Sequence, residues 1–203
     1  MNKKKLNKKI IIFIIIIILL ILIIFFFTNK TKKIKFGNNS SSQEIIDNIL
    51  NISSYETVIE VEINSNKNTN KYIIKQKYIA PDISEQEIIE PENIQGIKII
   101  KNKNELKIEN SKYNLSKIYN DYEYVTDNCL DLNTFIENYK LNGKEIYEEK
   151  DNEIILCIET NHKYNKYIEL YISKETGKPT KMEIKDNSKN TLIYILYREV
   201  KFK

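Results

Sequence analysis

The chain has 203 residues but only one histidine, two cysteines and four glycines, and it has no tryptophan. One histidine, His162 between Asn161 and Lys163, rules out multi-histidine metal centres and gives a nucleophile no base, because both chemistries need companions at set spacing. His162 itself reads as a solvated residue of a hairpin loop. Four glycines leave no glycine-rich phosphate loop, and no HExxH signature occurs. Cys129 and Cys157 are too few for a disulfide framework. A bridge between them is chemically open outside the cytoplasm, but spacing does not dictate one. Cys157 lies within the strand-like run Ile154-Ile155-Leu156-Cys157-Ile158, and Cys129 just ahead of a helical stretch; both read as separately buried thiols. The expectation is a non-enzymatic chain with no catalytic residue, metal or cofactor.

Acidic residues are also missing from one end. Residues 1–35 hold nine lysines and no Asp or Glu, so the remainder keeps 23 basic and 28 acidic groups, a net charge of −5. The net +4 of the whole chain therefore belongs to its N-terminal end, and a nucleic-acid reading built on it fails. Between the lysines lies the unbroken apolar run from Ile10 to Phe27, IIIFIIIIILLILIIFFF. As a helix it is about 27 Å long, near the hydrocarbon thickness of a bilayer. Ile10, Ile14, Ile18, Leu22 and Phe27 mark its length. Phe25-Phe26-Phe27-Thr28-Asn29-Lys30 follows without the small-residue step of a signal-peptide cleavage site. The expectation is an uncleaved single-pass anchor in the cell membrane. Five lysines in the first nine residues place the N-terminus in the cytoplasm and the C-terminal domain outside it.

The organisation expected is a basic segment at 1–9, an anchor at 10–27, a polar tether at 28–42 and one β domain at 43–203. Ser41-Ser42-Gln43-Glu44 resembles a capping box before Ile45, Ile46, Ile49 and Leu50, which recur at helical spacing. The period then changes to two through Val58 to Ile63 and Tyr72 to Tyr78. Further strand candidates are Gln86 to Glu90, Ile97 to Lys101, Glu105 to Glu109, Glu145 to Glu149, Glu153 to Glu159, Tyr167 to Ser173, Thr180 to Lys185 and Thr191 to Lys201. One helix, Asp131 to Tyr139, interrupts them with Leu132, Phe135, Ile136 and Tyr139 on one face and Gly143 as its stop. Gly177 and Pro179 mark a tight hairpin. The fold class is mainly β: a single antiparallel sheet that must cover its apolar face by curling into a partial barrel, by pairing with another sheet or by laying helices across it, the two helices being the available lids.

Carboxylates cluster at Glu85, Glu87, Glu90 and Glu92, and again at Glu148, Glu149, Asp151 and Glu153. A glycosidase pair or a calcium site would use such groups, but their alternation with apolar residues marks the solvated face of strands. Tyr113, Tyr119, Tyr122 and Tyr124 either line an apolar groove for a lipid chain or peptide, or stand as core and edge residues of the sheet.

Three segments carry a family likeness: QKYIAPDISEQEIIEPENIQGIKIIKNKNELKIEN from Gln76 to Asn110, YISKETGKPTKMEIKD from Tyr171 to Asp186, and LIYILY from Leu192 to Tyr197. With them the chain resembles the clostridial spore-germination lipoprotein GerS family, whose domain is similar to the lipoprotein-carrier fold of LolA, LolB and RseB. The resemblance implies a curved, half-barrel antiparallel sheet with helices on its concave side. It also implies a membrane-attached partner of a cell-wall amidase in spore-cortex modification or germination. The wider fold implies binding of lipid acyl chains, hence the alternative of a lipid or lipoprotein receptor with its ligand between helix and sheet. The chain departs from the lipoprotein pattern, since no cysteine near the end of the apolar run can accept a lipid. Partner binding predicts an exposed apolar patch or an unpaired strand edge; lipid binding predicts an enclosed apolar cavity of several hundred Å³.

Overall fold

A computed structural model describes residues 40–65, 67–120, 130–142, 147–161 and 165–202. The chain divides into Met1–Lys35 and Phe36–Lys203, and every described residue lies in the second unit. The apolar run with Ile10, Ile14, Ile18, Leu22 and Phe27, as well as Cys129, His162, Tyr122 and Tyr124, lies outside the described residues. Among the described residues no helix is long and apolar enough to cross a membrane.

Among the described residues, eleven strands form one antiparallel sheet. They are β1 (Ser54–Asn64), β2 (Thr69–Ile79), β3 (Ile83–Glu90), β4 (Ile97–Asn102), β5 (Glu105–Asn110), β6 (Leu115–Tyr119), β7 (Tyr147–Lys150), β8 (Glu153–Glu159), β9 (Tyr167–Ser173), β10 (Pro179–Lys185) and β11 (Thr191–Phe202). Their order across the sheet is β6-β5-β4-β3-β2-β1-β11-β10-β9-β8-β7. The first and last strands pair at the centre, and the two wings grow outward from that pair as meanders. Helix α1 (Ser42–Leu50) precedes β1, and α2 (Leu132–Asn142) stands between β6 and β7.

Local chemistry accounts for these elements. The Ser41 hydroxyl accepts from the Glu44 N–H at 3.2 Å and caps α1. Ile45, Ile46 and Ile49 of α1, and Leu132, Phe135, Ile136 and Tyr139 of α2, are all buried. They enter one hydrophobic cluster with the inward residues of β1, β2 and β8–β11, among them Ile59, Leu156, Leu170, Met182 and Ile195. Each such side chain contributes about 1.5–3 kcal/mol on burial. Gly177 takes φ +63° in the hairpin between β9 and β10, where its N–H donates to Ser173 O at 2.8 Å. Pro179 opens β10, so the sequence signals of that turn are met.

Bulges curve the sheet and reset its faces. Val58 pairs with Glu199 but Ile59 with Tyr197, which makes Arg198 the extra residue of β11. Strict alternation after Ile195 and Tyr197 would turn Glu199 and Lys201 into the core. The bulge turns Val200 inward instead, and Arg198 reaches Glu60 at 2.5 Å on the outer face. Four strands differ from the sequence expectations: β1 begins at Ser54 rather than Val58 and β2 at Thr69 rather than Tyr72. β3 begins at Ile83 rather than Gln86, and β6 is not among the strands that the sequence pattern predicts.

Candidate functional site

The two wings of the sheet differ in what covers them. No residue of β3–β6 belongs to the hydrophobic cluster under the helices. What joins this wing to α2 is a polar anchor. Asp131, buried just before the first turn of α2, accepts from the Tyr55 hydroxyl of β1 through Oδ1 and from the Ser84 hydroxyl of β3 at 2.9 Å through Oδ2. Its Oδ1 also accepts from the Asn133 N–H at 3.3 Å, a helix-capping contact. The Gln76 side-chain amide donates to Leu130 O at 2.9 Å. The chain is thus tied at one point to β1, β2 and β3. Burial raises the pKa of the Asp131 carboxyl, against the opposing pull of the hydrogen bonds from Tyr55 and Ser84. Burial, then the neighbouring Asp131, pushes the Tyr55 phenol well up. These groups hold a helix in place; they do not face solvent.

From that anchor one cross-strand row runs outward to the sheet edge: Tyr55, Tyr78, Ser84, Lys101, Leu106 and Tyr119 are successive partners on β1 to β6. Tyr55, Tyr78, Ser84 and Leu106 of the row are buried, and Tyr119 at its outer end is exposed. Every residue from Ser111 to Asn120 is exposed. Tyr113 (63%), Leu115 (65%), Ile118 (52%) and Tyr119 (37%) make up four of the seven large apolar side chains exposed among the described residues. β6 is the terminal strand of the sheet, so its outer backbone N–H and C=O groups have no strand partner among the described residues. An unpaired, apolar edge is what natural sheets ordinarily suppress. The opposite edge is suppressed in the ordinary way: β7 is four residues long and carries Glu148, Glu149 and Lys150, with Glu149 held by Lys174 at 2.6 Å.

The remaining sequence candidates fall elsewhere. Glu85 and Glu87 lie beside Lys98, at 2.9 and 3.9 Å; Glu153 accepts from the Thr180 hydroxyl at 2.9 Å; Asp151 sits at a turn with φ +52°. Among the described residues no group of His, Cys, Asp or Glu side chains is arranged to hold a metal ion. Cys157, expected to be buried, is a free and exposed thiol, because strand alternation turns Leu156 and Ile158 inward. Partial burial and then the Glu169 carboxylate push its pKa up. A cleft of about 280 Å³ opens where Glu60, Glu62, Lys71, Ile73, Glu90, Tyr194 and Leu196 meet, on the sheet face that carries the Glu60–Arg198 and Glu62–Lys71 pairs. Ile59, Leu156 and Leu170, each fully buried, pack with the helices' apolar residues in one cluster. Tyr113 and Tyr119 prove to be edge residues. Sequence reasoning misses β6 as a strand, and the signal for it is the length of chain left between Asn110 and Asp131, with Leu115, Ile118 and Tyr119 in it.

The sequence matches the family model described as "Sporulation protein YdcC-like" over residues 7–203. No curated protein matches it. Among solved structures, it is similar to a chain in the structure of the CwlD amidase from Clostridioides difficile in complex with the GerS lipoprotein. The identity is 22%, 81% of this chain and 98% of that chain are covered, and the TM-score is 0.53. An uncharacterized conserved protein from Thermus thermophilus matches at 14% identity over 81% of this chain and 88% of its own, with a TM-score of 0.51. A LolA superfamily protein from Nitrosomonas europaea matches at 14% identity over 81% and 94%, with a TM-score of 0.41. At these identities the first two matches show a shared fold and nothing finer.

Proposed function

The chain belongs to the family of YdcC-like sporulation proteins, and from that premise we propose that it is a membrane-anchored, non-enzymatic binding protein of the cell envelope. Its partner is a cell-wall enzyme, an amidase in the first instance, acting in spore-cortex modification or germination. The observation that carries this reading is the exposed apolar edge of β6 on a fold that also occurs in a complex between an amidase and a lipoprotein. The apolar run from Ile10 to Phe27 and its lysine-rich flank support a single-pass anchor with the N-terminus in the cytoplasm and the β domain outside it. The single histidine and the absence of a nucleophile–base pair at recognisable spacing support a binding role. The alternative of a lipid or lipoprotein receptor needs an enclosed cavity between sheet and helices, where Ile59, Leu156, Leu170 and Met182 are packed instead.

The test is affinity purification of the tagged full-length protein from its own detergent-solubilised membranes, with mass spectrometry of co-purifying proteins and lipids. A stoichiometric cell-wall amidase without enriched lipid is the expected result. Enriched lipid or lipoprotein with no such enzyme overturns the reading in favour of the receptor.

A further inference from the structure

We propose that β6 is extended by a strand of the partner protein, and that this strand is acidic, with apolar side chains on either side of a central carboxylate. The proposal rests on the partner-binding reading above and adds the chemistry of what is bound. Two independent observations carry it. One is backbone geometry: alternate residues of a terminal antiparallel strand direct N–H and C=O outward at regular spacing. An added strand satisfies that row of alternating donors and acceptors, whereas an acyl chain satisfies none of it.

The other is charge. From Ile97 to Tyr119 the sequence holds six lysines and two glutamates, within a chain that is otherwise net acidic after residue 35. Lys98 and Lys107 are already held by Glu85 at 2.9 Å and Glu109 at 2.5 Å. Lys112 and Lys117 flank and occupy the edge strand with no carboxylate partner among the described residues. Lys117 stands 4.8 Å from the Tyr119 ring centroid. Leu115, Lys117 and Tyr119 alternate onto one face of β6 and Ser116 and Ile118 onto the other, as strand geometry requires. A strand laid antiparallel on this edge places one residue opposite each of them. Opposite Lys117 the complementary residue is a carboxylate; opposite Leu115 and Tyr119 it is apolar. The other edge, β7 with Glu148 and Glu149, repels the same strand.

The test uses detergent-solubilised full-length protein and a fluorescent heptapeptide, Glu-Val-Thr-Glu-Thr-Val-Glu, read by anisotropy. Its central Glu opposes Lys117 in the expected register. We expect saturable binding that weakens at least tenfold in Lys117→Glu, an exposed substitution that leaves the fold intact. The peptide with all Glu replaced by Lys does not bind. N-methylation of one alternating set of peptide amides abolishes binding, and of the other set leaves it unchanged. The proposal is overturned by no binding, by equal binding of the lysine peptide, by indifference to both methylation sets, or by a homodimer whose interface protects β6 in hydrogen exchange. If the amidase co-purifies while the peptide fails these tests, the docking edge is wrong and the partner-binding reading stands. If the peptide binds as expected while no enzyme co-purifies, the docking edge stands and the amidase reading falls.

Discussion

The two wings of the sheet are built from the same residue types and do opposite things. On the β8–β11 side, alternate residues Ile154, Leu156, Leu170, Ile172, Met182, Ile184 and Ile195 are fully buried under the helices. On the β4–β6 side, the isoleucines of β4 are half-exposed, Leu106 is the one buried apolar side chain among the described residues, and β6 has no buried residue at all. A sheet in water needs only one well-covered region to be stable, and a sparsely covered wing attached to it is free to serve as a surface. On the proposed reading the contrast is a division of labour within one sheet, with one half as scaffold and the other as contact.

Substitutions can break that contrast, and their expected effects fall in order. Leu170→Ala on the scaffold side costs about 2–5 kcal/mol, because the transfer and cavity terms add at a fully buried site; a urea midpoint measures it. Asp131→Ala costs about 1–3 kcal/mol by leaving the Tyr55 and Ser84 hydroxyls without their acceptor, seen in the same titration. Gly177→Val forces a β-branched residue to φ +63° and costs about 1–2 kcal/mol. Ile118→Ser on the contact side changes stability by less than about 0.5 kcal/mol, while weakening partner capture.

Asp131 also gives the scaffold a pH dependence. The raised pKa of this buried carboxyl means that the folded chain holds its proton more tightly than the unfolded chain. Its contribution to stability is therefore largest at and below the ordinary carboxylate pKa and is lost as pH rises through the raised folded value. Urea midpoints of the native chain and Asp131→Asn, compared from about pH 4 to pH 7, should differ in slope with that sign.

Much of the scaffold is legible in the sequence because burial there follows local period. Leu132, Phe135, Ile136 and Tyr139 stand at helical spacing and are buried together; Ser41 and Glu44 announce the cap; Gly177 and Pro179 announce the tightest hairpin. The contact side is far less legible. β6 has apolar residues at Leu115, Ile118 and Tyr119, which match no period of two, since backbone pairing with β5 holds this strand in place without burial. The start of β3 is hidden because its inward residues, Ser84 and Gln86, are polar. Asp131 reads locally as no more than the start of a helix, for its partners Ser84 and Tyr55 lie 47 and 76 residues away. Cys157 misleads because an apolar run suggests burial throughout, and at its phase of the alternation Ile155 is covered while Cys157 is not.

The most direct test of this division is site-specific photocrosslinking in native membranes, with benzoylphenylalanine in place of Ile118 on β6 or of Glu148 on β7. The predicted result is an adduct with a cell-wall amidase from position 118 and none from position 148. An amidase adduct from position 148 alone, or from neither position while the enzyme still co-purifies, would contradict the division of scaffold from contact.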